Sequence, residues 1–93
     1  ENNHISTLFE LMKAKNFSKV REWVAENLSE GVAPQEVISQ IYAEMTNYAT
    51  TASCAQMVLL LAQYQHWSVD VADQEVNTVA MAVEIMMGAE WLN

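Results

Sequence analysis

The sequence predicts an all-α fold, a compact five-helix antiparallel bundle, on three observations. Only Gly31, Gly88 and Pro34 punctuate 93 residues, so the elements between them are long. The content of Ala, Met, Leu, Glu and Gln favours helix over strand. Apolar residues recur at three- and four-residue intervals, the period of a helix face.

The first helix is expected over Ile5 to Lys15. Thr7 and Glu10 have capping-box spacing, with Asn3 as an alternative cap. Ile5, Leu8, Phe9 and Met12 form its stripe. The second begins after Asn16, whose side chain suits an N-cap. Val20, Trp23, Val24 and Leu28 share a face, and Gly31 supplies a left-handed stop. The third starts at Pro34, where a missing N–H costs nothing. Glu36 suits its positive end. Val37, Ile38, Ile41, Tyr42 and Met45 make the cleanest stripe in the chain.

Thr50, Thr51 and Ser53 offer caps for a fourth helix over Ala52 to His66. Its middle, Met57 to Ala62, is apolar nearly all round, which predicts a central helix covered on several sides. Ala49, Ala52, Ala55 and Ala62 are small enough for neighbours to approach closely. Ser68 or Asp70 would cap the fifth helix, with Asp73 and Glu75 near its start. Val76, Val79, Ala80, Val83, Met86 and Met87 line one side, and Gly88 closes it. Ala89 to Asn93 reads as a short tail carrying Trp91 and Leu92.

Charge is distributed unevenly along the chain. Lys13, Lys15, Lys19 and Arg21 are the only strong bases, and the formal net charge is −8. Residues 22–93 contain ten acids and no base. Such a surface is repelled by nucleic acid and by anionic membranes. No apolar run approaches the roughly 20 residues of a membrane span. No basic-then-apolar leader is visible at the N-terminus. A single Cys excludes an internal disulfide and a four-thiolate zinc site, and fits a reducing compartment. The chain opens on Glu1-Asn2-Asn3, as expected of a processed protein or a piece of a longer one.

No catalytic, cofactor-binding or metal-binding residue is nominated. Two isolated glycines cannot cradle phosphates, and no Lys follows position 19. His4 and His66 lack partners at ligand spacing. Asp70 and Asp73 lack the Gly and later Glu of a calcium loop. Cys54 lies in an apolar helix with no adjacent base. Glu44 and Glu84 read as solvated. Six Met, three Trp, three Tyr and two Phe are instead a surplus of interface-type side chains. Tyr64, Trp67, Met86, Met87, Trp91 and Leu92 are the candidate interface residues.

The stretch from Phe17 to Tyr42, FSKVREWVAENLSEGVAPQEVISQIY, resembles the C-terminal collar domain of clamp-loader ATPase subunits. There a helix ends in an acid and Gly, a short turn holds a small residue, and an acid with paired hydrophobics opens the next helix. The likeness is to small subunits of replication factor C and their tailed-phage counterparts, and extends loosely over residues 4–92. The family's Asp, Arg and Gly before the last helix are reduced to an Asp in Gln65–Val71, which points to a phage-type member.

The resemblance implies an oligomerisation domain that holds AAA+ ATPase subunits together for sliding-clamp loading in DNA replication. ATP and Mg would then bind in upstream domains of a longer parent protein, with none bound here. The implied partners are other clamp-loader subunits, in a homo- or hetero-oligomer, with no direct nucleic-acid or membrane contact. The implied location is cytoplasmic, in the host cytoplasm for a phage protein. On this reading a charged residue at Trp91 or Met86 weakens assembly and leaves helicity intact. The alternative is a stand-alone acidic helical adaptor or DNA-mimic inhibitor, which would bind a basic protein with steep salt dependence. A small enzyme ranks last, since no acid–base, nucleophile or metal set assembles.

Overall fold

The computed structural model describes residues 4–67 and 73–92, with Trp67 placed by its backbone alone. α1 spans Ile5–Lys13 and buries Leu8, Phe9 and Met12 completely. Its start differs from the capping-box expectation. The Thr7 amide already donates to the His4 carbonyl at 3.0 Å, so the helix opens at His4, whose side chain does not cap it. The alternative cap Asn3 lies outside the described residues.

α1 also stops two residues early. Lys15 turns left-handed, at φ 57°. The Asn16 amide then donates back to the Leu11 carbonyl at 3.1 Å, and the Lys15 amide to Met12 at 3.0 Å. This is the Schellman arrangement. α2, Phe17–Ser29, ends the same way around Gly31, at φ 98°. There the Val32 amide donates to Asn27 at 3.0 Å and the Gly31 amide to Leu28 at 3.1 Å. Gly31 holds this geometry freely, whereas Lys15 crowds its Cβ against the backbone. Lys15→Gly is therefore expected to stabilise the domain by about 0.5–1 kcal/mol. A thermal melt showing no rise would refute that.

Asn16 caps α2 as expected, its Oδ1 accepting from the Lys19 amide at 3.3 Å. Val20, Trp23 and Val24 are buried. Asn27 takes a core position by donating its Nδ2 to the Trp23 carbonyl at 2.8 Å. α3 spans Pro34–Glu44, with Pro34 in its first turn. Val37, Ile38 and Ile41 face inward. Tyr42, expected on that stripe, is exposed, because it stands about 100° round the helix from buried Ile41, at the edge of the stripe; a 3-10 turn at Met45–Asn47 follows α3.

α4 spans Thr51–Trp67. Thr50 is the cap among the three candidates: its carbonyl accepts from Cys54 at 2.8 Å and its Oγ1 from the Ser53 amide at 3.3 Å. Ser53, Cys54, Met57, Leu61 and Tyr64 form one buried line. The expected central position is not found. α4 packs chiefly on α3 and on α5, Gln74–Gly88, and turns Val58 and Leu59 outward. The expectation failed because five short helices do not supply enough neighbours to cover one of them on every side.

Asp73 caps α5, its Oδ1 accepting from the Val76 amide at 3.2 Å. Ser68 and Asp70 lie outside the described residues. The buried line is Thr78, Met81, Ala82, Ile85 and Met86. The expected stripe was out of phase: Val76 and Met87 are exposed, while Val79, Ala80 and Val83 are half-buried. Gly88 is the last helical residue, but Gly31 is the glycine with positive φ among the described residues.

The tail is a strap. Thr50 donates to the Glu90 carbonyl at 2.9 Å and Leu92 donates to the Tyr48 carbonyl at 2.8 Å. Ala49 and Trp91 thus form an isolated antiparallel bridge. The Glu90 amide donates to Ser53 Oγ at 2.7 Å. The five-helix, all-α bundle is as the sequence predicts. α3 and α5 stand between the α1–α2 pair and α4.

Candidate interface on α4

No Asp, Glu, Lys or Arg occurs between Glu44 and Asp70, so all of α4 is uncharged. Its outward side carries Ala52, Ala55, Val58, Leu59 and Ala62. Leu59 is the crest, 72% exposed. A groove of about 420 Å³ lies between α4 and α5, with Leu60 on one wall and Val83 and Met87 on the other. It runs on through Ser53, Gln56 and Gly88 into a hollow of about 140 Å³ bordered by Glu90. A second groove, about 290 Å³, lies between α3 and α4 beside Tyr42 and Val58. An uncharged apolar ridge between two apolar grooves is a surface from which binding releases water at little electrostatic cost.

The six residues nominated from sequence divide sharply. Met87 is 66% exposed and lines the first groove, and Leu92 is exposed beside the strap. Met86, 4% exposed, and Tyr64, 5% exposed, are core. This corrects their nomination: Tyr64 lies on the buried line of α4 and Met86 on that of α5, out of a partner's reach. Trp91 is half-buried and packs edge-on against Phe9, ring centroids 6.3 Å apart. The Trp67 side chain lies outside the described residues. Leu59, Val58 and Leu60 were missed. The signal that finds them is the absence of charge along α4, read together with its apolar surround.

Tyr64 ties α4 to α5. Burial raises its phenol above the ordinary value of 10.0, and the charge of Glu84 and a hydrogen bond to it add to the rise. The phenol therefore stays protonated and donates to Glu84 throughout the neutral range. Glu84, read from sequence as solvated, is exposed at the groove rim and holds this bond as well. Cys54 is buried, its Sγ 3.5 Å from the Met45 carbonyl oxygen to which it donates.

The four bases stand apart from this face. Lys13, Lys15, Lys19 and Arg21 are all exposed around the α1–α2 corner, with Phe17 49% exposed among them. Lys19 Nζ meets Glu22 Oε1 at 3.5 Å, a surface pair of small energetic weight. Among the described residues no group of three or more His, Cys, Asp or Glu side chains converges. None of the helices described is long and apolar enough to cross a membrane.

Residues 1–84 match the family model of the replication factor C C-terminal domain. The chain belongs to this family. No curated protein and no solved structure matches it. This replication factor C C-terminal domain is thus the C-terminal domain of a clamp loader, with a role in DNA replication. The matched residues include all of α1 to α4 and α5 as far as Glu84. Met87 and the strap at residues 89–92 lie beyond the match.

Proposed function

We propose that this domain holds clamp-loader subunits together through the outward face of α4 and its flanking grooves. The observation that carries the reading is Leu59, standing exposed on a 17-residue helix without a formal charge, in a chain of net charge −8. Depletion of charge around an apolar centre is the compositional mark of an interface core. In this reading the acidic remainder keeps the subunit soluble and away from DNA. ATP and Mg²⁺ are handled by ATPase modules outside this chain.

The test is Leu59→Glu. Leu59 packs against little within the domain, so helicity and melting temperature are expected to stay near wild type. Self-association, followed by sedimentation equilibrium, is expected to weaken by about thirtyfold or more, the effect of losing a hot-spot side chain. A Leu59→Glu domain that assembles like wild type removes the α4 face from the reading.

A further inference from the structure

We infer that Met87 is a site of selective, reversible oxidation by peroxide, and that its sulfoxide switches off the α4–α5 groove without unfolding the domain. The selectivity is carried by burial alone, and the effect on assembly rests on the reading of α4 proposed above. The chain carries seven sulfur side chains, six Met and Cys54. Six of these are buried: Met12, Met45, Met57, Met81 and Met86 are at most 5% exposed, and Cys54 turns its S–H to the carbonyls of Met45 and Ala49. Met87 is 66% exposed. Its neighbour Gly88 has no side chain to shield it, and nothing lies within 4 Å of where a Cβ at position 88 would stand. Oxidation of a side-chain sulfur follows access, and a close-packed core has no room for the oxidant.

The step balances with hydrogen peroxide as the oxidant. Met87 Sδ gives a lone pair to one peroxide oxygen, an S–O bond forms, the O–O bond breaks, and the second oxygen leaves as water. Sulfur loses the two electrons that peroxide gains. A methionine sulfoxide reductase reverses the step, its thiols closing to a disulfide as the oxygen departs in water.

The product changes the groove and leaves the core alone. Met87 stands beside Val83 and across from Leu60. A partner covering the groove must then strip water from an S–O dipole that neither Leu60 nor Val83 can hydrogen-bond. The same oxygen on Met86, one residue away and 4% exposed, would instead enter the core. The fold thus places the one accessible thioether where its oxidation alters a surface and spares the packing.

The test treats the whole chain with hydrogen peroxide and maps the added oxygen by peptide mass spectrometry. Met87 is expected to react about tenfold faster, or more, than any other Met of the folded chain. The singly oxidised chain is expected to melt near wild type. Its self-association by sedimentation is expected to fall about tenfold or more. Reductase treatment is expected to restore association. Met87→Leu, similar in volume, is expected to assemble like wild type before and after peroxide. Oxygen spread over several methionines of the folded chain overturns the inference. So does a chain oxidised at Met87 alone that assembles like wild type; if Leu59→Glu fails to assemble in the same assay, the α4 face stands and the switch falls. If Leu59→Glu assembles like wild type, or the untreated chain is monomeric, both readings fall.

Discussion

Met86→Glu is expected to unfold the domain, and Met87→Glu next to it to leave the fold intact while blocking assembly. The two side chains leave consecutive positions of α5 about 100° apart. Met86 is buried among the side chains of the core, and Met87 projects over the groove beside Leu60. A carboxylate at position 86 has no base to meet, since the strong bases sit at the α1–α2 corner. Its burial costs about 4 kcal/mol or more, against the ~5–15 kcal/mol that holds a small domain folded. The expected result is loss of the helical circular dichroism signal, or a melt far below wild type. Met87→Glu adds a charge already solvated in the monomer, so its melt is expected within a few degrees of wild type. Its self-association is expected to fall at least tenfold by sedimentation. A folded, assembly-defective Met86→Glu would show that the core is misassigned. From sequence alone these neighbours fall together among the six candidate interface residues.

That grouping shows where legibility ended. Helix starts and stops with a side-chain signature were readable: Asn16, Gly31, Pro34 and Thr50 each do what their chemistry predicts. Lys15 was not readable as a stop, because its left-handed turn is imposed by the returning amides and has no residue signature. The phase of α5 was unreadable for a different reason. Val76, Val79, Ala80, Val83, Met86 and Met87 share one side, but Met81, Ala82 and Ile85 make another side apolar too, so no single face stands out by composition. Which side is buried depends on where α2 and α4 pack, a tertiary fact. The same logic reversed the position of α4. Its all-round apolar surface implied a central helix, but in this domain the surplus faces outward. The misreading was in supposing that every apolar face is covered by the chain's own helices.

The strap illustrates a contact between distant residues that no local pattern could disclose. Tyr48 and Trp91 are separated by the whole of α4 and α5, yet both pack on Phe9. The expected tail is a structural element because the residues flanking Ala49 and Trp91 pair through backbone hydrogen bonds, Thr50 to Glu90 and Leu92 to Tyr48, and Ser53 accepts from the Glu90 amide. This places the end of the described chain against the first turn of α4. The outward face of α4 is therefore held from behind by the core and at one end by the strap.

Phe9→Ala is expected to cost about 3–5 kcal/mol, the range for removing a fully buried aromatic ring. The ring stacks on Tyr48 at 4.4 Å with 6° between planes, and meets Trp91 edge-on. One side chain of α1 thereby joins the exit of the 3-10 turn to the strap. For a domain of this size the loss corresponds to a fall in Tm of some 15–30 °C. Trp91→Ala is expected to cost less, because Trp91 is half-buried and the core behind it remains. It has a more local signature: the amides of Thr50 and Leu92, which hold the bridge, should exchange faster than those of α2 and α3. Phe9→Ala should instead accelerate exchange throughout α1 and the bridge together, since it removes the piece they share. Equal protection of the bridge and of α2 in Trp91→Ala would show that the strap opens only with global unfolding. Selective loss at the bridge would show that the end of the α4 groove can open while the bundle stays folded, so that stability and the shape of that groove are set by different contacts.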